Sequence, residues 1–173
     1  HDDLATRVGD AVELVQAAGL VENLRVRKDS WEVATLRDAA QRLSDAAKCI
    51  MAKALAGMAE RDVAARIEEE LRRVGFDKPA FDTIVASGPN AARPHHRAGS
   101  RRIEQGDLVV LDFGGVLHGY SVDLSRTVVP GGAGARERRL LEQVAEAQAA
   151  GFAAIATGQL ASVERDGRRV SLA

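Results

Sequence analysis

Apolar residues recur at helical spacing throughout the first part of the chain. They predict a short helix over residues 2–18, a long helix over 29–55 and a third helix over 60–74. Asp29 precedes Glu32 by three residues, which is the spacing of a capping box and marks the start of the long helix. The face of the long helix predicted to point into the core carries Trp31, Leu36, Ala40, Leu43, Ala47, Ile50, Met51 and Ala54.

Past the third helix the apolar period changes from helical to extended. Residues 81–86 and 108–113 are typical of strands, and the second is nearly all apolar, as expected for a strand covered on both faces. Residues 116–129 predict one or two further strands, and residues 135–156 a last helix. We read residues 20–28, between the first two helices, as a linker. Helices, then an antiparallel meander, then a helix predict an α+β fold.

Length and charge narrow the class of protein. The 173 residues suffice for one domain, and 24 Lys+Arg against 25 Asp+Glu give a formal charge of −1. This balance argues against nucleic acid or an anionic membrane as a partner. No apolar stretch approaches the roughly 20 residues of a membrane span, and the single cysteine, Cys49, cannot form an internal disulfide. We therefore expect a cytoplasmic protein.

Two aspartates carry the first candidate chemistry. If the chain turns at Leu117 and His118, Asp112 and Asp123 lie directly opposite each other, with Cβ atoms roughly 4.5–5.5 Å apart. Two like charges at that distance are destabilising unless they share a proton or a cation lies between them. From spacing alone, strand-end aspartates without a site, a metal-binding pair and a proton-sharing catalytic pair all stay open. Room close to the backbone is left by the neighbouring glycines, Gly114 and Gly115.

A pair of histidines in a loop carries the second candidate chemistry. His95 and His96 follow Pro94 between two predicted strands, where functional residues are often found. A histidine there can donate a proton or a hydrogen bond to a substrate carbonyl. Because adjacent side chains point to different sides, we expect at most one of the two to face a site. Two solvated loop histidines are the alternative.

Several motifs together resemble a known superfamily. LDFG at 111–114, GY at 119–120 and DLSRT at 123–127 are similar to the first metal-ligand block of the pita-bread metallopeptidases. That superfamily contains Xaa-Pro aminopeptidases, prolidases and methionine aminopeptidases. FDTIVASGPN at 81–90 and the Pro-His pair at 94–95 extend the resemblance and favour the Xaa-Pro branch.

The resemblance implies a fold and a domain organisation. It implies an α+β pita-bread fold, of which this chain holds the first half, with helices packed on a mainly antiparallel curved sheet. Residues 24–158 would form the partial catalytic domain and residues 1–23 a remnant of a preceding domain or linker. Residues 159–173 would be an atypical tail with little periodicity.

The resemblance also implies a reaction. Asp112 and Asp123 would be two of five ligands to a pair of divalent metal ions, with manganese favoured and cobalt or zinc as alternatives. A bridging hydroxide would hydrolyse the Xaa-Pro bond of a dipeptide or peptide with proline in second position, and His95 would contact the substrate or stabilise the tetrahedral intermediate. A homodimer is a further expectation.

The resemblance leaves the metal site of this chain incomplete. The family's remaining ligands, a histidine and two glutamates, come from the second half of the domain, so we expect this chain alone to be an incomplete fragment without peptidase activity.

Two other interpretations compete with the Xaa-Pro peptidase. A non-catalytic binding protein that keeps the pita-bread fold is one alternative. A methionine aminopeptidase or a metal-free, creatinase-like hydrolase is the other. The presence of both Asp112 and Asp123 argues against the binding protein and the metal-free enzyme.

Overall fold

Helices on one face of an antiparallel sheet build the part of the chain that positions the candidate site. The computed structural model describes residues 15, 17–52, 55–156, 162–165 and 168–171. In chain order its elements are α1 (Leu20–Val26), α2 (Ser30–Met51), α3 (Glu60–Arg73), β1 (Lys78–Pro79), β2 (Ile84–Ser87), a 3-10 helix (Gly88–Ala92), β3 (Val109–Leu117), β4 (Tyr120–Val128), α4 (Ala135–Ala156), β5 (Ser162–Arg165) and β6 (Arg168–Ser171).

The helix starts follow the capping chemistry of the sequence. The backbone N–H of Glu32 donates to Asp29 Oδ1 at 2.9 Å, and Asp29 N–H donates to Glu32 Oε2 at 2.7 Å, which confirms the capping box of α2. The prediction of a linker over residues 20–28 is wrong, because α1 forms there. Glu22 helps to start it by accepting a hydrogen bond from Gly19 N–H at 3.0 Å. The helix predicted over residues 2–18 falls almost entirely outside the described residues.

The core lies between the sheet and the helices α2 and α3. The buried stripe of α2 is rotated from the predicted one, since Trp31, Ala40 and Met51 are exposed. Trp31 is 59% exposed and packs edge-on against Tyr120, with ring centroids 5.9 Å apart, instead of entering the core. The residues of α2 that are buried are Thr35, Ala39, Leu43, Ala46, Ala47 and Ile50. Those of α3 that join them in the core are Val63, Ala64, Ile67 and Leu71.

β3 is the central strand of the four-stranded sheet. It pairs with β4 along one side and with β1 and β2 along the other, and every pairing is antiparallel. Leu111 and Phe113 are buried against the helices, whereas Val110 and Asp112, which alternate with them, are only half-buried. The prediction that this strand is covered on both faces is therefore wrong for the described residues. Its second face is left to carry polar side chains.

The turn between β3 and β4 sets the register of the hairpin. His118 and Gly119 both have positive φ, 51° and 84°, which is the conformation of a two-residue hairpin turn of type I′. Leu117 therefore pairs with Tyr120, and the predicted turn at Leu117 and His118 is one residue too early. Glycine accepts positive φ without strain, so the turn includes Gly119.

The last elements are the predicted helix and a short hairpin that follows it. α4 spans the residues predicted for it. Four of its large apolar residues are each 47–72% exposed, namely Leu140, Val144, Phe152 and Ile155. Past it, Val163 of β5 pairs with Val170 of β6 in an antiparallel hairpin. Within the described ranges, no helix has both the length and the apolar character needed to cross a bilayer.

The two glycines of β3 permit close approach, but of groups from this chain. A Cβ at Gly114 would overlap the Val122 carbonyl oxygen and lie 2.9 Å from Phe81 Cε1. A Cβ at Gly115 would overlap the ring of Phe76. The expected room beside the backbone is thus already filled by backbone and aromatic rings.

Substitution of Gly114 by Ala tests this packing. Since the Val122 carbonyl belongs to the paired strand and cannot turn away, we expect Gly114→Ala to lower the free energy of unfolding by about 3 kcal/mol, at the upper end of overpacking costs. Gly151→Ala is the matched control, because nothing lies within 4 Å of its new Cβ and alanine favours the helix by up to about 1 kcal/mol. Urea unfolding followed by circular dichroism measures both; equal midpoints for Gly114→Ala and the parent chain would contradict the packing described.

Candidate metal centre

Asp112 and Asp123 lie on the same face of the β3–β4 hairpin. Asp112 is opposite Ser125, and Asp123 is opposite Gly114, so the two aspartates are diagonal neighbours. The prediction that they are directly opposed is wrong, because the turn is centred one residue later than expected. Diagonal positions on one face lie about 7–8 Å apart, within reach of each other's side chains.

The two carboxylates interact electrostatically. Ser125 Oγ donates a hydrogen bond to Asp112 Oδ1 at 2.6 Å. Partial desolvation raises the pKa of Asp123, and so do the negative charge of Asp112 and a hydrogen bond with it, against the opposing effect of the Leu124 backbone N–H. Charging both groups at once is therefore unfavourable without a counter-charge.

This donor set fits a divalent cation. Carboxylate and hydroxyl oxygens are the ligands that manganese and other hard divalent ions prefer. A cation between Asp112 and Asp123 would relieve the repulsion that raises the pKa of Asp123. Among the residues that the structure describes, no three side chains of His, Cys, Asp or Glu are grouped so that they could hold a metal ion. The described residues thus offer the two carboxylates as a partial set of ligands.

The carboxylates open into a cleft next to the sheet. It has a volume of about 770 Å³ and is bounded by α3, the start of β2, the 94–99 loop and the open face of the hairpin. Its walls carry charges of both signs as well as apolar groups. The lining residues are Arg61, Ala64, Ala65, Glu68, Phe81, Asp82, Thr83, Ile84, Pro94, His95, His96, Arg97, Ala98, Asp112 and Asp123.

The two loop histidines have different environments. His95 is exposed and borders the cleft that contains Asp112 and Asp123. The His96 side chain is only 11% exposed, and its Nε2 lies 2.8 Å from Oε2 of the buried Glu60. Both histidines border the cleft, and of the two only His95 is classed as exposed to solvent.

Comparison with protein families decides the relationship of the chain. The model of metallopeptidase family M24 matches residues 34–170, a range that includes Asp112, Asp123 and His95. The chain belongs to this family.

Several of its relatives are named as Xaa-Pro peptidases. A Xaa-Pro dipeptidase from Pyrococcus furiosus is 39% identical over 129 residues, which are 75% of this chain and 37% of the relative. The crystal structure of an X-Pro aminopeptidase from Thermotoga maritima superposes with a TM-score of 0.80 at 32% identity, over 85% of this chain and 41% of that one. A Xaa-Pro dipeptidase from Bacillus anthracis gives a TM-score of 0.79 at 36% identity, over 84% and 41%. The chain thus spans about two fifths of the length of these M24 relatives.

These findings confirm the resemblance and the fold predicted with it. The described residues have the α+β architecture of the first part of a pita-bread domain, with helices on an antiparallel sheet. They also confirm the Xaa-Pro aminopeptidase and prolidase branch of the superfamily. As a metallopeptidase family, M24 implies divalent metal ions as cofactors.

A buried carboxylate beside the cleft, Glu60, was not predicted. It is the first residue of α3, is fully buried, and accepts hydrogen bonds at both oxygens. Oε1 accepts from Ser87 N–H at 2.9 Å, Ser87 Oγ at 2.7 Å and Asn90 Nδ2 at 3.0 Å. Oε2 contacts His96 Nε2 at 2.8 Å and accepts from Gly99 N–H at 3.3 Å. No motif marks Glu60, and an acidic residue in a first helical turn is common, so the sequence held no signal for this role.

Hydrogen bonding keeps Glu60 ionised although it is buried. Desolvation by burial raises the pKa of Glu60, but the hydrogen bonds from Asn90, His96 and Ser87 together outweigh it and lower the pKa to about 2, from an ordinary value of 4.5. A group whose pKa is depressed by folding stabilises the fold above its unfolded pKa. That stabilisation is lost as the pH falls from about 4.5 towards 2.

The variant Glu60→Gln tests whether Glu60 is an anchor, that is, a buried charge whose hydrogen bonds stabilise the fold. The shift in the pKa of Glu60 corresponds to about 3 kcal/mol of stability at neutral pH, which the amide cannot supply. We expect Glu60→Gln to lower the free energy of unfolding by about that amount at pH 7, and to flatten its decrease between pH 4.5 and 2.5. Urea unfolding over this pH range measures both effects, with the exposed Glu69→Gln on the same helix as control. A variant with the parent's stability and acid slope would show that Glu60 is no anchor.

Proposed function

We propose that residues 24–158 form part of the catalytic domain of a metal-dependent peptidase that hydrolyses the Xaa-Pro bond at the N-terminus of peptides or in dipeptides. The observation that carries this proposal is the Asp112–Asp123 pair, set on one face of a hairpin and open to a cleft that His95 also borders. The names of the M24 relatives support the choice of bond.

The proposal gives Asp112 and Asp123 one role and His95 another. Asp112 and Asp123 would hold the metal, with Ser125 orienting Asp112 through its hydroxyl. When bound, divalent ions polarise a carbonyl and lower the pKa of water, which together favour attack on a peptide bond. The exposed imidazole of His95 would donate a hydrogen bond to the substrate within the same cleft.

Finer features of the proposal rest on chemistry and on the relatives. We propose two ions per site, with manganese favoured because the donors are carboxylate oxygens. The substrate is a peptide or dipeptide with proline in second position, in keeping with the names of the relatives. A homodimer and a cytoplasmic location complete the proposal; residues 1–23 would precede the domain and residues 159–173 would follow it as a tail.

Loss of both carboxylates should remove metal binding. Even the loss of a group that merely orients a ligand weakens metal affinity about 10–100-fold, so the double variant Asp112→Asn, Asp123→Asn is expected to show no saturable Mn²⁺ binding. Titration followed by electron paramagnetic resonance of free Mn²⁺ measures this. Asp82→Asn, on the wall of the same cleft, is the matched control and should bind like the parent chain. Saturable binding by the parent that persists in the double variant would remove the proposed site.

The 173-residue chain alone should not turn over substrate. Manganese prefers six oxygen ligands, and two carboxylates cannot complete the coordination of even one ion without water. We expect no release of the N-terminal residue from Xaa-Pro peptides above the background of an EDTA-treated sample, with or without added Mn²⁺. Robust, chelator-sensitive release by the purified chain would show that the described half-site suffices.

A further inference from the structure

The loop over residues 94–99, which carries His95, is hydrogen-bonded to α3. His96 Nε2 and Gly99 N–H both meet Oε2 of Glu60, at 2.8 and 3.3 Å. The carbonyl oxygen of Gly99 accepts from Arg61 N–H at 3.0 Å, so the end of the loop is also bonded to the backbone of α3. The loop is therefore attached to α3 at His96 and again at Gly99.

Glu60 is itself fixed in place by a second set of contacts. Ser87, which donates to Oε1 of Glu60, accepts from Arg101 Nη1 at 3.0 Å. Arg101 in turn forms an ion pair with Asp107 at 2.7 Å. The loop is thus tied through Glu60 to the end of β2 and to the segment that leads into β3.

The two adjacent histidines divide their roles because of this anchor. The ring of His96 lies against Glu60, with Nε2 2.8 Å from Oε2, and His95 precedes it in the turn that the His96 N–H closes onto the Arg93 carbonyl. His95 is thereby left exposed at the border of the cleft with Asp112 and Asp123.

We propose that Glu60 and His96 are positioning residues, which hold the 94–99 loop so that the imidazole of His95 stays in the cleft within reach of a substrate at Asp112 and Asp123. This inference rests on the proposed function for the role of His95. His96 also borders the cleft, but its ring nitrogen is engaged by Glu60, so we assign it no contact with substrate.

The test measures the position of His95 relative to metal bound at the two aspartates. In the isotopically labelled 173-residue chain, Mn²⁺ broadens the NMR signals of nearby nuclei. The amides of β3 and β4 beside Asp112 and Asp123 serve as the reference. The broadening of the His95 ring relative to these amides reports how close the ring lies to the bound ion. Amide exchange at Gly99 reports the fastening of the loop. A purely structural contribution of His96 would change stability without changing the ratio of broadening.

Three variants of His96 separate the effects. His96→Ala removes the ring, and His96→Leu fills much of the same space without a donor. His96→Gln places an amide near the position of Nε2 and can still donate to Glu60. His118→Asn alters a histidine at the hairpin turn and is the control, since asparagine tolerates the positive φ found there.

We expect His96→Ala and His96→Leu to lose most of the relative broadening of the His95 ring and to exchange the Gly99 amide proton faster. His96→Gln should regain the broadening and the slow exchange of the parent chain. The His118→Asn control should match the parent chain in both measurements. Unchanged His95 broadening and Gly99 exchange in a folded Ala or Leu variant would overturn the inference. If Mn²⁺ broadens no β3 or β4 signal in the parent chain, the proposed metal site fails instead. In that case Gly99 exchange and the ¹³C relaxation of the His95 ring decide the positioning, because loss of the anchor should increase both exchange and ring motion.

Discussion

The buried charge of Glu60 is the constraint on which the part of the fold around the candidate site depends. Removing a carboxylate from water costs several kcal/mol unless its oxygens are fully bonded. Here the donors come from the end of β2, from the 3-10 helix and from the 94–99 loop. All of these segments must therefore be in place before the first turn of α3 can bury its acid. The same requirement that stabilises the fold also fixes the backbone around His95.

Alternation along one hairpin supplies both a core and a site. On β3, Leu111 and Phe113 are buried under the helices, while Asp112 between them belongs to the opposite face. Because the helices of the described residues cover one face of the sheet, the other can carry carboxylates that are only partly desolvated and that border a cleft. The rigid packing of the first face thus holds the carboxylates of the second, which is what a metal site of this family requires.

Local signals in the sequence predicted local structure well and long-range contacts poorly. The capping box of Asp29 and the span of α4 follow from neighbouring residues, and both are confirmed. The hairpin turn was misplaced because apolar spacing does not reveal which residues adopt positive φ. Asp112 and Asp123 were still placed on one face, since a shift of two residues in pairing keeps each side chain on its side of the sheet. The role of Glu60 depends on donors 27 to 39 positions away, which no local pattern specifies.

The two-residue turn between β3 and β4 has a consequence for how the centre forms. Closing a short loop costs little chain entropy, and hairpins of this kind form within about 1–10 μs. The register that brings Asp112 and Asp123 side by side is therefore fixed within twelve residues of chain, whereas the packing of the opposite face holds the hairpin in place. The two carboxylates thus share one short segment, while His95 is brought to them by the longer connection between β2 and β3.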